Sequence, residues 1–103
     1  SLHDALPIWE RQTALFEKAA ALSELNGAGV LVLDELCSAV STGMVPLELV
    51  TAFLDRRPAE LEVVITGRDP AAELERRADY ITEMKKRRHP FDQGQAARKG
   101  IEW

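Results

Sequence analysis

The sequence predicts an α/β protein built on a parallel β-sheet with flanking helices. Two short apolar runs, at residues 30–33 and 61–66, have the length and composition of strands. Segments with helical spacing of apolar residues alternate with these runs, and such alternation is typical of parallel sheets with right-handed crossovers. Polar residues directly follow both runs, at the strand ends where open α/β sheets bind ligands.

The first predicted element is a helix over residues 9–25, because apolar residues recur there at helical spacing. The stripe expected to face the core consists of Leu15, Ala19 and Leu22, with Phe16 and Ala20 beside it. Asn26 and Gly27 end this helix, since glycine tolerates the left-handed conformation of a C-cap. The unbroken apolar run at residues 30–33 then predicts a strand that is buried on both faces.

A second helix is predicted over residues 46–57, after an ambiguous segment at residues 36–43 that indicates a short helical turn. Pro46 fits the first turn of a helix, where its missing N–H costs nothing, and Pro58 prevents continuation. The expected inner face consists of Leu47, Val50, Phe53 and Leu54.

Two further elements are predicted after the strand at residues 61–66. Asp69 and Pro70 are the expected N-cap and first residue of a short helix that ends near Ala78. Residues 80–84 are expected to form a short third strand.

Charge and cysteine content restrict the function classes. The 103 residues carry a formal net charge of −4, and an acidic chain lacks the basic field that general nucleic-acid binding requires. Cys37 is the single cysteine, which fits a reducing compartment. No apolar run reaches the roughly 20 residues of a transmembrane helix, and residues 1–8 do not resemble a signal peptide. We therefore expect a soluble, cytoplasmic protein with no nucleic-acid or membrane partner.

Polar clusters at the two strand ends form the candidate nucleotide site. Asp34 and Glu35 follow the first strand, where carboxylates hold Mg²⁺ or its waters in many ATPases. Thr66, Gly67, Arg68 and Asp69 cap the second strand, where a guanidinium would reach a phosphate and glycine would permit close backbone approach. Strand ends are also polar simply because they emerge into solvent. The partner motif, Gly-x-x-x-x-Gly-Lys, does not occur in the 103 residues.

Other chemically notable residues favour structural interpretations. The basic run at residues 85–89 is more often a solvated surface than a phosphate patch. Cys37 and Trp103 are expected to pack against neighbours, and His89 to be structural. The spacing of cysteine and histidine does not suit a zinc site.

Five segments taken together resemble the bacterial corrinoid adenosyltransferases that act on ATP and cob(I)alamin. In chain order they are VLVLDEL (30–36), VVITGR (63–68), ADYITEM (78–84), HPF (89–91) and KGIE (99–102). They occur in the family's order and close to its spacings, and the closing HPF and KGIE segments are distinctive. The resemblance covers residues 9–103 as the C-terminal part of the family's domain, and it leaves residues 1–8 as an unassigned extension.

The resemblance implies a partial P-loop NTPase-like domain and transfer of the 5′-deoxyadenosyl group of ATP to the cobalt of a reduced corrinoid. The corrinoid would be cob(I)yrinic acid a,c-diamide or cob(I)alamin in adenosylcobalamin synthesis, with ATP as co-substrate and Mg²⁺ as metal. By motif position, Glu35 and Asp34 would lie near Mg²⁺, and Arg68 would face the nucleotide. Family members are typically homodimers, so a homodimer is expected for the full-length protein.

The glycine-rich phosphate loop lies upstream in members of this family. We therefore expect a fragment that is inactive by itself, with an exposed sheet edge. One alternative is a non-catalytic relative that binds corrinoid or dimerises with an intact subunit. Another is an unrelated P-loop ATPase or kinase fragment that uses Asp34 and Glu35 in hydrolysis, although the HPF and KGIE segments argue against it.

Overall fold

The computed structural model describes residues 6–27 and 29–85. Within these residues helices and strands follow the order α1 (Ile8–Leu25), β1 (Val30–Leu33), α2 (Leu36–Ser41), α3 (Leu47–Arg56), β2 (Glu62–Ile65) and α4 (Ala72–Arg77). The two strands pair in parallel, with Val30 opposite Glu62 at one end and Leu33 opposite Ile65 at the other. The α/β class and the small parallel sheet are therefore confirmed.

The hydrophobic core lies against one face of this sheet. Its largest fully buried side chains are Val45, Val50, Phe53 and Leu61, each at most 2% exposed. From the sheet, Leu31 and Val63 pack against it. Phe16 of α1 meets Phe53 of α3 edge to face with ring centroids 5.9 Å apart, a favoured geometry for aromatic pairs. This contact attaches α1 to the rest of the core.

Helix α3 follows its sequence pattern closely. The predicted inner face is confirmed, with Leu47 half-buried and the other three positions buried. Pro46 is the N-cap, one residue before the first helical position. At the other end, the Arg57 side chain donates to the Leu54 carbonyl at 2.8 Å. This bond satisfies one of the carbonyl groups that the last helical turn leaves unpaired.

The predicted inner stripe of α1 is wrong in part. Leu15 is 59% exposed and Leu22 is 46% exposed, although both were expected to face the core. The buried residues of this helix are Phe16, Ala20 and Ser23. Because α1 docks through Phe16 onto α3, the side of the helix that carries the two leucines faces away from the core.

The expectation that the first strand is buried on both faces is wrong for the part of the chain that the structure describes. Leu31 and Leu33 face the core, whereas Val30 and Val32 are 56% and 59% exposed. On β2, Val64 lies opposite Val32 and is exposed in the same way. No element among residues 6–27 and 29–85 covers this second face.

Two predictions for residues 69–84 are wrong. Asp69 is not an N-cap, since α4 begins at Ala72 with Ala71 as its N-cap. Asp69 has a φ of 50°, so the chain turns there and helical geometry starts only afterwards. Residues 80–84 form no strand, and Tyr80 is 93% exposed. In the described sheet β1 and β2 pair with each other and do not take this segment as a neighbour.

None of the helices in the described residues combines the length and apolar character that crossing a bilayer requires.

Candidate functional site

The carboxyl ends of β1 and β2 lie side by side. Because Leu33 pairs with Ile65, Asp34 and Thr66 are the first residues beyond their strands. The Thr66 N–H donates to the Leu33 carbonyl at 3.2 Å and extends the contact between the two chain segments. The polar clusters that the sequence places after each strand therefore meet at one edge of the sheet.

The Thr66 hydroxyl connects both members of the acidic pair. It donates a hydrogen bond to Asp34 Oδ1 at 2.7 Å, and it accepts one from the Glu35 backbone N–H at 2.9 Å. A threonine hydroxyl has a single proton, so its donor is engaged by Asp34. These three residues form a hydrogen-bonded unit across the two strands.

A second connection joins the end of β2 to the start of α2. The Cys37 N–H donates to the Thr66 carbonyl at 3.2 Å. Gly67 has a φ of 132°, and a Cβ at this position would lie 2.7 Å from the Cβ of Cys37. Gly67 therefore packs too closely against Cys37 to carry a side chain, and the approach of its backbone to a nucleotide stays a prediction.

Glu35 has an unusual backbone conformation. Its φ of 60° and ψ of 20° lie in the left-handed region, which costs a residue with a Cβ about 1–2 kcal/mol. Its Oε2 accepts a hydrogen bond from the Ser38 hydroxyl at 3.2 Å. Strained backbone of this kind clusters at functional sites. No sequence pattern signals this conformation, because a charged residue is uncommon at positive φ.

Cys37, which contacts Thr66 and Gly67, is buried. Burial raises the pKa of its thiol above the ordinary value of 9.0, and the negative charge of Glu35 raises it further. A raised pKa disfavours the thiolate, which is the nucleophilic form. The burial and the pKa both support packing as the role of Cys37.

Arg68 lies at the same end of the sheet by its position in the chain, and it is exposed. With residues 6–27 and 29–85 its guanidinium forms no hydrogen bond or ion pair, whereas Arg77 holds Asp55 through two such bonds. The structure therefore joins Asp34, Glu35 and Thr66 through hydrogen bonds, and Gly67 packs against Cys37 beside them. Arg68 follows Gly67 in the chain and makes no such contact with the described residues.

The acidic pair suits a cation that brings other ligands with it. In the described part of the chain, no group of three or more His, Cys, Asp and Glu side chains is arranged to hold a metal ion. Mg²⁺ is commonly held by one or two carboxylates, with waters and phosphate oxygens completing its shell. Asp34 and Glu35 are exposed and adjacent in the chain, and two carboxylates are compatible with Mg²⁺ that also has waters and phosphate oxygens as ligands.

Several sequence features lie outside the described residues. These are the basic positions 86–88, the HPF segment with His89, the KGIE segment and Trp103. Lys85, at the start of the basic run, is exposed.

The fold and its edge define an α/β protein that presents two carboxylates and a threonine hydroxyl at the carboxyl ends of two parallel strands, the position where such sheets bind ligands. Residues 8–103 match the family of ATP:corrinoid adenosyltransferases BtuR/CobO/CobP. The chain therefore belongs to this family, and the family resemblance of the five sequence segments is confirmed.

Relatives that are 34–39% identical to this chain carry the same family name. A corrinoid adenosyltransferase of Pseudomonas aeruginosa is 39% identical over 90 residues, which make up 87% of this chain and 44% of that protein. One from Salmonella typhimurium is 38% identical over 74 residues, or 72% of this chain and 38% of that protein. One from Sinorhizobium sp. is 34% identical over 89 residues, or 85% of this chain and 42% of that protein. The chain thus spans less than half the length of these relatives.

Proposed function

We propose that the protein containing this chain transfers the 5′-deoxyadenosyl group of ATP to the cobalt of a reduced corrinoid. The corrinoid is cob(I)yrinic acid a,c-diamide or cob(I)alamin, and the other product is triphosphate. One observation carries the proposal: in a chain that matches this family, the acidic pair and the Thr66–Gly67 segment meet at the carboxyl ends of two parallel strands. Ligands of open parallel sheets bind at that edge.

The chemistry sets two tasks for the protein. Cobalt(I) supplies an electron pair to the ribose 5′ carbon, the bond from that carbon to the triphosphate oxygen breaks, and the triphosphate leaves with the bonding pair. The protein must align the corrinoid with the ribose and offset the charge that builds on the leaving group.

Residues at the sheet edge serve the second task. Mg²⁺, when bound, neutralises part of the triphosphate charge. Asp34 and Glu35 would hold it through their carboxylates, and the Arg68 guanidinium would donate to phosphate oxygens. Thr66 and Gly67 line the same edge beside the nucleotide. The proposal includes a P-loop-type domain whose phosphate-cradling loop comes from outside these 103 residues, which contain no Gly-x-x-x-x-Gly-Lys sequence.

The complete reading frame that contains this chain provides the test. Incubated with ATP, Mg²⁺ and cob(I)alamin, its product should form adenosylcobalamin, which is followed by absorbance. Glu35→Gln should lower kcat by about 10²-fold or more, because it removes a carboxylate that would hold Mg²⁺ beside the leaving group. Glu62→Gln makes the same chemical change at the opposite end of the sheet and should leave kcat unchanged.

Other outcomes would redirect the assignment. Phosphate release from ATP without any corrinoid would favour an ATPase, and corrinoid binding without ATP binding would favour a non-catalytic relative. The 103-residue chain by itself should show no transfer, and turnover by it would contradict the proposed origin of the phosphate loop. Light scattering tests the homodimer proposed for the complete protein, and cell fractionation tests its proposed cytoplasmic location.

A further inference from the structure

We infer that Thr66 is a positioning residue whose hydroxyl fixes the geometry of the acidic pair. The inference rests on the proposed function for its kinetic consequence, and on the structure for everything else. It assigns Thr66 a different task from direct contact with the nucleotide, because its single donor already points at Asp34.

The hydroxyl makes two bonds of complementary kind. The Thr66 hydroxyl donates a hydrogen bond to the Asp34 carboxylate oxygen at 2.7 Å, and a bond to a carboxylate is stronger than one between neutral groups. One of its lone pairs receives the Glu35 N–H at 2.9 Å. One side chain therefore orients the Asp34 carboxylate and the Glu35 backbone together.

The backbone of Thr66 is itself held by two hydrogen bonds. Its N–H donates to the Leu33 carbonyl and its carbonyl accepts from the Cys37 N–H, both at 3.2 Å. Gly67 is packed against Cys37 immediately afterwards. A side chain on such a support imposes its geometry on the groups it binds, as precise sites require.

Glu35 needs this support because its left-handed conformation is unfavourable by itself. The Ser38 hydroxyl reaches only the side chain of Glu35, whereas Thr66 holds the backbone N–H. Replacing Thr66 by valine keeps the shape but leaves that N–H and the Asp34 oxygen without their partner. Replacing Thr66 by serine keeps both bonds.

Amide hydrogen exchange in the full 103-residue chain tests the structural part without metal or nucleotide. Thr66→Val should speed exchange of the Glu35 amide by roughly five- to tenfold, and Thr66→Ser should change it little. Thr51→Val is the matched control, because the Thr51 hydroxyl bonds within α3, to the Glu48 carbonyl at 3.2 Å, and to no other residue that the structure describes. The Phe53 amide reports global opening. Glu35 exchange that speeds no more than Phe53 exchange would overturn the inference.

A double-mutant cycle on kcat/KM in the complete protein tests the kinetic part. Thr66→Val should lower kcat/KM by about ten- to a hundredfold, and Thr66→Ser should restore most of it. In a background that lacks both carboxylates, Asp34→Ala with Glu35→Ala, the same valine substitution should cost less than about threefold, since Thr66 acts through the acidic pair. If the combined variant loses kcat/KM by the product of the two separate factors, Thr66 contacts the nucleotide directly and the inference is overturned. An inactive wild-type protein would refute the proposed function, and the exchange experiment would still decide the role of Thr66.

Discussion

Substituting Gly67 by alanine should destabilise the fold through two separable effects. The first is backbone strain: a φ of 132° lies in a region open almost only to glycine, at a cost of about 1–3 kcal/mol. The second is steric, because the new Cβ would lie 2.7 Å from the Cβ of Cys37, and overpacking costs about 1–3 kcal/mol. The sum, about 2–6 kcal/mol, is a large part of the roughly 5–15 kcal/mol that stabilises a domain.

Urea unfolding followed by circular dichroism measures this loss, and Gly43→Ala supplies the control. Gly43 also has a positive φ, 79°, but a Cβ there would meet nothing within 4 Å, so the control reports backbone strain alone. A loss at Gly67 no larger than the loss at Gly43 would refute the steric argument. Cys37→Gly removes the nearest atom, so it should reduce the cost of Gly67→Ala, and an equal cost in both backgrounds would also refute it.

Three further predictions concern charged and titrating groups. Glu35→Gly should raise the free energy of unfolding by up to about 1 kcal/mol in urea titration, by relieving left-handed strain, whereas Glu35→Ala should not. Burial raises the pKa of the Cys37 thiol in the folded state, so the fold favours the neutral thiol. The contribution of this thiol to the free energy of unfolding is therefore present below pH 9.0 and should be lost as the pH rises above that value. Cys37→Ser should remove this loss of stability at high pH. The hydrogen bond from Arg77 lowers the pKa of Asp55 below 3.8, so the contribution of this pair is present above that pH and should be lost in more acidic solution. Asp55→Asn should remove this acid-side loss, and because both groups are exposed, 1 M NaCl should shrink it.

The parts of the fold that the sequence predicted well depend on local interactions. Helix α3 lies between Pro46 and Pro58, and its apolar spacing specifies its inner face without reference to other elements. The strands were located because short apolar runs end abruptly at polar residues, and their parallel pairing follows from the intervening helices.

The sequence-based predictions were wrong where the structure of a segment depends on contacts with residues far away in the chain. The face that α1 buries is set by the contact of Phe16 with Phe53, which are 37 positions apart in the chain. Residues 80–84 have a strand-like composition, but a strand also needs a neighbour that offers hydrogen bonds, and β1 and β2 do not pair with them. Neither condition is visible in a window of a few residues.

The candidate site shows the same division. The rule that parallel strands bring their carboxyl ends together was enough to place Asp34 and Thr66 at one edge. The rule does not specify which atoms meet there. The bonds from Thr66 to Asp34 and Glu35 span 32 and 31 positions, and the left-handed turn at Glu35 becomes stable only once β2 lies alongside.

The sequence by itself determined the class of fold, the identity of the acidic and Thr-Gly-Arg segments, and the family to which the chain belongs, because periodicity, turn residues and motifs are properties of neighbouring residues. Tertiary structure alone decided that the Thr66 hydroxyl is hydrogen-bonded to Asp34 and Glu35, and that Gly67 packs against Cys37. Distances of about 3 Å between groups some thirty residues apart exist only after the strands have paired, since the chain entropy of bringing them together is offset by burial of the shared core.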